Sequence, residues 1–239
     1  KWCPNRTFFS SWNGVDTSMF PADNVNYTAL RGEQDTATYY WPTAGHTVKP
    51  GGILGALRGM VGAQTDYPFD LPTEAQWEFA ARGGCGAAFQ NGVENSTWSK
   101  SLPAIDGICR YQGNGGDWSG TTSPKDNPDA IGRTMAVVGS YERNGYGLYD
   151  VHGNVAEFCL DNYKAEYYAD PDYDPETGPD APDTANNRCY RGGYAASTCY
   201  PHCLRFGKRS YVNVGTVAFY YGFRLCCPAR AVFAPVPTY

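Results

Sequence analysis

The sequence predicts an irregular α+β domain with few, short helices and much loop. Three observations predict it. Only three stretches carry a helical pattern, and strand-like runs alternate with turn clusters elsewhere. Glycine and proline make 45 of the 239 residues, a share that favours turns over long elements. Hydrophobic residues are 42% and charged residues 18%, which excludes a disordered polyelectrolyte and a coiled coil. A chain this long can bury a sizeable core, so one domain over 1–239 is expected, as a monomer. The net charge of −5 leaves no cationic excess for a generic polyanion site, so no nucleic-acid partner is expected. No apolar run reaches 18 residues, and no membrane span is expected.

The helical stretches come early. Thr28 is placed to cap a short helix through Leu30. In ILGALRGMV (53–61), apolar residues at 53, 54, 57, 60 and 61 share one helical face. In LPTEAQWEFAARGG (71–84), Thr73 and Gln76 form a capping box, and Glu74 lies in the first turn, where the helix dipole favours it. Ala75, Trp77, Phe79 and Ala80 supply its apolar surface, and Gly83-Gly84 stops it. QGNGGDWSGTTSPKDNP (112–128) reads as a long polar loop, and the Asp- and Pro-rich 170–187 stretch as a second excursion.

Nine cysteines (Cys3, Cys85, Cys109, Cys159, Cys189, Cys199, Cys203, Cys226 and Cys227) fall at irregular spacings that match no zinc-finger pattern. They read as buried small hydrophobes or a few disulfides. Lys1 in place of an initiator Met reads as a trimmed piece. GNGG (113–116) opens no convincing helix, so no phosphate cradle is expected, and His152 reads as an exposed turn residue.

Three ordered blocks carry a resemblance. They are LPTEAQWEFAARGG (71–84), NGYGLYDVHGNVAEFCLD (144–161), and the set Arg191-Gly192-Gly193, Arg209 and Gly222-Phe223-Arg224. Together they resemble the formylglycine-generating-enzyme, or sulfatase-modifying-factor, domain. The likeness implies a C-type lectin-like fold over most of the chain. The family's enzymes hold copper(I) between two cysteines and oxidise a substrate cysteine. The resemblance puts those two positions at Ser197 and His202. Cys199 and Cys203 lie nearby but out of register, and a strand residue moved by one position faces the other way. No catalytic residue, no enzymatic activity and no copper are therefore expected; a copper oxidase of the formylglycine-generating type, or a fixed accessory binding domain of the same fold, is the alternative reading. The resemblance also implies a structural Ca²⁺ on Asp150, Gly153, Val155 and Glu157, a set of hard oxygen donors.

The 194–221 segment differs from the rest. It has no Asp or Glu and carries +3, against −8 for the remainder, and a quarter of it is aromatic. Such Tyr- and small-residue-rich surface resembles a paratope. Lys208 is its single residue that an NNC codon cannot encode. Within the RGG…GFR frame it resembles the variable region (about 191–227) of diversity-generating-retroelement variable proteins of the treponeme type. That likeness implies a hypervariable ligand-binding protein at a bacterial cell surface, secreted or held through a lipid anchor. Its contacts to an unknown protein or glycan would come from Tyr194, Ala195, Ala196, Ser197, Cys199, Tyr200, His202, Leu204, Phe206, Tyr211, Val212, Asn213, Val214, Thr216, Phe219, Tyr220 and Tyr221.

Overall fold

Side-chain capping sets where the helices begin. The computed structural model describes residues 19–32, 48, 51–61, 69–94, 99–114, 135–169, 187–196 and 198–226. The first helix, α1 (Tyr27–Arg31), is capped by Asn26, whose side chain accepts from Ala29 N at 2.7 Å. Thr28 lies inside this helix, because Asn26 already holds the extended backbone a cap requires. The second, α2 (Ile53–Val61), takes the span its periodicity predicts. The third, α3 (Glu74–Arg82), has the full capping box: Gln76 N donates to Thr73 Oγ1 at 3.2 Å, and Thr73 N to Gln76 Oε1 at 3.0 Å. Its buried face is Glu74, Trp77 and Ala81, and Phe79 points to solvent. It ends on Gly83 in the left-handed region, where a Cβ would come 2.8 Å from Gly145 N. That close approach ties the first sequence block to the second.

Four short strands follow: β1 (Ala156–Asn162), β2 (Asn187–Arg191), β3 (Ser210–Asn213) and β4 (Tyr221–Gly222). They form one sheet in the order β3-β2-β1-β4, antiparallel except for β1 with β4. Every residue of β1 is buried, so the central strand is covered on both faces. One core cluster packs Tyr27, Leu30, Leu54 and Leu71 against Phe158 and Tyr221. A second gathers Phe89, Ile105, Ile108, Tyr111, Cys199 and Leu204, and a third Trp77, Val151, Cys159, Cys189 and Phe206. Among the described residues, no helix is long and apolar enough to cross a membrane. Most of the two excursions, 115–134 and 170–186, lies outside the described residues, as do Cys3 and Cys227.

Buried charge welds the blocks together. Glu74 Oε1 accepts from Arg191 Nη1 at 2.9 Å and from Arg209 Nε at 2.9 Å, and its Oε2 from Arg209 Nη2 at 2.7 Å. Burial alone would push the Glu74 carboxyl up, but the two guanidinium groups outweigh it and hold the pKa below its ordinary value. Arg191 also reaches Glu78 and the Phe206 carbonyl, with its guanidinium 5.4 Å from the Trp77 ring centroid. Trp77 Nε1 donates to Glu157 Oε2 at 2.6 Å, and Glu157 pairs with Arg224. Every block therefore meets another through a buried ion pair or a charge-assisted hydrogen bond. Glu74→Gln leaves Arg191 and Arg209 short of their shared anion, and should cost about 3–5 kcal/mol, read by urea unfolding at neutral pH.

Candidate functional site

The described residues of the 194–209 stretch form no strand. It leaves β2 through Gly192 and Gly193, both at positive φ, and winds into a single 3-10 turn, Pro201–Cys203. A Cβ on Gly193 would stand 2.8 Å from Cys203 O and 3.1 Å from Cys199 Sγ, so glycine here lets the loop close over itself. Backbone bonds pin the loop. Ala195 N donates to Asn154 O at 3.1 Å, Cys203 N to Tyr200 O at 2.8 Å, and Phe206 N to Ala88 O at 3.1 Å.

This winding overturns the expectation that Cys199 and Cys203 are kept apart. Strand alternation does not apply across a turn, and residues four apart come to the same side. Cys203 packs against the buried cluster that holds Cys199, and the two thiols shift each other's pKa in opposite directions. Cys199 is fully buried, neither a surface residue nor disulfide-bonded. Its bond to Cys203 and its burial push its pKa well up. Cys203 is half-buried and shifted the opposite way, first by the Cys199 thiol, then by His202 and Lys208. His202 Nε2 lies 3.3 Å from its sulfur. The two thiols are thus shifted in opposite directions by their surroundings. Cys203 opens on a cleft of about 40 Å³ lined with Tyr190, Tyr194, Lys208 and Ser210. Two soft sulfur donors side by side fit copper(I) in ligand chemistry.

The proposed contact residues divide. Ala195, Ala196, Cys199, Leu204, Phe206 and Tyr221 are buried and cannot project outward. Phe206 packs on the His152 ring at 4.4 Å, and Tyr221 lies in β4 with its ring 5.4 Å from Phe158. The aromatics expected on one exposed face are therefore not all there. Tyr211, Asn213 and Thr216 are exposed; Tyr194, Tyr200, His202, Val212, Val214, Phe219 and Tyr220 are intermediate, with Tyr194 and Tyr220 stacked at 4.1 Å. Ser197 lies outside the described residues. His152, expected at the surface, is completely buried.

Asp150, Val155 and Glu157 line a larger cavity of about 550 Å³, with Phe20, Tyr149 and Arg224; Gly153 does not line it and bridges to Arg110 instead. Asp150 Oδ2 accepts from Gly139 N at 2.7 Å, while its Oδ1 is buried without a hydrogen-bond partner. Burial holds the Asp150 pKa above its ordinary value. That oxygen suits a hard cation. The Glu157 oxygens are held by Arg224 and Trp77, so the full donor set is not assembled.

Fold and interlocked blocks define a C-type lectin-like domain of the formylglycine-generating type. The sequence profile of the sulfatase-modifying factor enzyme 1-like domain (FGE-sulfatase) matches residues 19–229, and the chain belongs to that family. The formylglycine-generating enzyme of Thermomonospora curvata is 33% identical over 156 residues, 64% of this chain and 48% of that protein. The chain thus spans about half the length of the curated relatives it matches. The structure of PvdO from Pseudomonas aeruginosa superposes with a TM-score of 0.58 at 20% identity, over 87% of this chain and 62% of that one, and shows the shared fold. Treponema denticola variable protein 1 is 30% identical over 66% of this chain and 47% of its own. Its TM-score of 0.47 is too loose to carry a function across. Several curated relatives are named formylglycine-generating enzyme, and this overturns the expectation that the chain has no enzymatic activity.

Gly193→Ala should separate strain from overlap when compared with Gly84→Ala, where φ is also positive but nothing lies within 4 Å. Chemical denaturation should show a cost of about 1 kcal/mol at Gly84 and about 2 kcal/mol or more at Gly193.

Proposed function

We propose that the chain is a thiol-dependent oxidase of the formylglycine-generating type, acting on a cysteine of a peptide or protein substrate. The observation that carries this reading is the Cys199–Cys203 pair, packed together where the loop closes, one sulfur fully buried and the other lining a small cleft. Cys203 would meet the substrate's sulfur, and Cys199 would stabilise its thiolate by hydrogen bonding. Lys208 and His202 supply positive charge and a polar partner. The same two sulfurs would hold copper(I), which when bound would activate dioxygen, the oxidant that takes the electrons from the substrate cysteine. Family membership and the names of the curated relatives support the reading. Wild type should bind one equivalent of copper(I) in competition with a chromogenic chelator, and in air should change the mass of cysteine-containing peptides. Cys199→Ser and Cys203→Ser should each lose both properties. A wild type that binds no copper(I) and leaves such peptides unaltered would sink the proposal.

A second reading concerns the outer face of β3 and the loop after it. Tyr211, Asn213 and Thr216 are exposed there, in a segment without acidic residues. This smaller face, rather than the whole 194–221 segment, would contact a protein or glycan ligand. If it is diversified as in retroelement variable proteins, a near-identical repeat differing only at adenines should accompany a reverse transcriptase gene. Surface display through a lipid anchor, and a monomeric state, belong to this reading.

Calcium at Asp150 forms a separate proposal, supported by the partnerless buried Oδ1. Glu157 would join only by giving up part of its hold on Arg224. After chelation, saturating Ca²⁺ should raise the melting temperature by several degrees, as binding at a hundredfold excess over Kd adds about 2.7 kcal/mol. An unchanged melt, with Asp150→Asn indistinguishable from wild type, removes the ion.

A further inference from the structure

We propose that His152 is the positioning residue of the thiol pair: it holds the turn that carries Cys203 against the Cys199 side of the loop. The inference rests on the thiol-pair reading above. His152 lies in the second sequence block, 51 positions upstream of Cys203 in the numbering, and is completely buried. Its ring sits between Phe89, at 5.2 Å, and Phe206, at 4.4 Å.

Both ring nitrogens have assigned work. Nδ1 lies 2.7 Å from the Leu204 carbonyl oxygen, which only accepts, so Nδ1 carries the hydrogen. Nε2 lies 3.2 Å from Gln90 N, which only donates, so Nε2 accepts. One neutral tautomer satisfies both bonds. A second proton would set Nε2–H against the Gln90 N–H, and burial keeps that form away by lowering the pKa to about 4.

The point of attachment gives the ring its role. The Leu204 carbonyl belongs to the residue directly after Cys203, and Leu204 N closes the 3-10 turn on Pro201 O at 3.0 Å. The Leu204 side chain packs in the cluster that buries Cys199. A bond on this residue therefore sets the height of Cys203 relative to Cys199. Cys203 N and Leu204 N bond within the turn itself, and the next anchors to other elements, Phe206 N to Ala88 O and Arg191 to the Phe206 carbonyl, lie two residues beyond Leu204. His152 has no contact with either sulfur, so it acts through the backbone rather than on substrate. The charged groups nearby are Arg82, 5.2 Å from the Phe206 ring centroid, and, on the Cys203 side, His202 and Lys208.

The test compares two amide replacements. In His152→Asn the side-chain NH2 falls near the place of Nδ1 and keeps the bond to Leu204. In His152→Gln it falls near Nε2, facing the Gln90 N–H, and that bond is lost. Closure of a Cys199–Cys203 disulfide by diamide, which takes up the two electrons and two protons released, is followed at one fixed pH by mass-spectrometric peptide mapping, with melting curves alongside. Wild type should close this bridge, and the Asn variant should close it at the same rate. The Gln variant should close it roughly tenfold more slowly, because the bridge demands a narrow sulfur geometry. Purely structural damage would lower both melts without separating the two closure rates. Asn and Gln variants that close alike overturn the role of His152. So does a folded Asn variant slowed in closure, an outcome readable even where the Gln variant does not fold. A wild type that forms no Cys199–Cys203 bridge instead overturns the thiol-pair reading itself, before either variant is considered.

Discussion

The structure depends on one buried carboxylate that two arginines share. Glu74 is the first residue of α3, Arg191 ends β2, and Arg209 precedes β3. None of these elements is long enough to be stable alone: the sheet has strands of seven residues or fewer, and α3 has nine. The shared ion pair compensates by crossing from helix to sheet in the interior, where removing one partner strands the other charge. The backbone N–H of Glu74 donates to Asp161 Oδ2 at 2.7 Å, which fastens the helix start to the end of β1 as well. Burial, then Glu74 itself, push the Asp161 pKa up to about 7, so near neutrality the network is held close to a protonation change.

The site grows out of that frame. Arg191 is held at both ends, so Gly192 and Gly193 start the loop from a fixed point, and their positive φ turns the chain back on itself. A 3-10 turn then brings two cysteines to the same side and leaves them in unlike surroundings, one inside an apolar cluster, the other beside His202 and Lys208. Position alone makes the difference: the same side chain is shifted up in one place and down in the other.

The sequence made the ordered blocks legible because each carries local physics. The Thr73–Gln76 capping box, the Gly83 stop and the ILGALRGMV periodicity act within a few residues, and all three are found as read. Asn26 displaced Thr28 as a cap because two good capping residues stood two positions apart and only backbone geometry chooses between them. The composition of 194–221 suggested a continuous outward surface, yet Leu204, Phe206 and Tyr221 complete three different core clusters. Composition counts residues and carries no direction; Tyr-rich sequence suits a surface or a core equally. The reading of Cys199 and Cys203 failed for a related reason. It assumed strand alternation in a stretch where the chain turns.

By itself the sequence determined the family-like blocks, the helix ends, the loop-rich α+β class and the placing of Glu74 at a helix start. These follow from interactions between residues close in the chain. Only the tertiary structure decided that Glu74 anchors two arginines more than a hundred residues away, that His152 is buried with both nitrogens bonded, and that Cys199 and Cys203 pack together. Each of these is a matter of burial and long-range approach. No local pattern encodes them, because the partners meet only after the sheet, the glycine turn and the loop have closed.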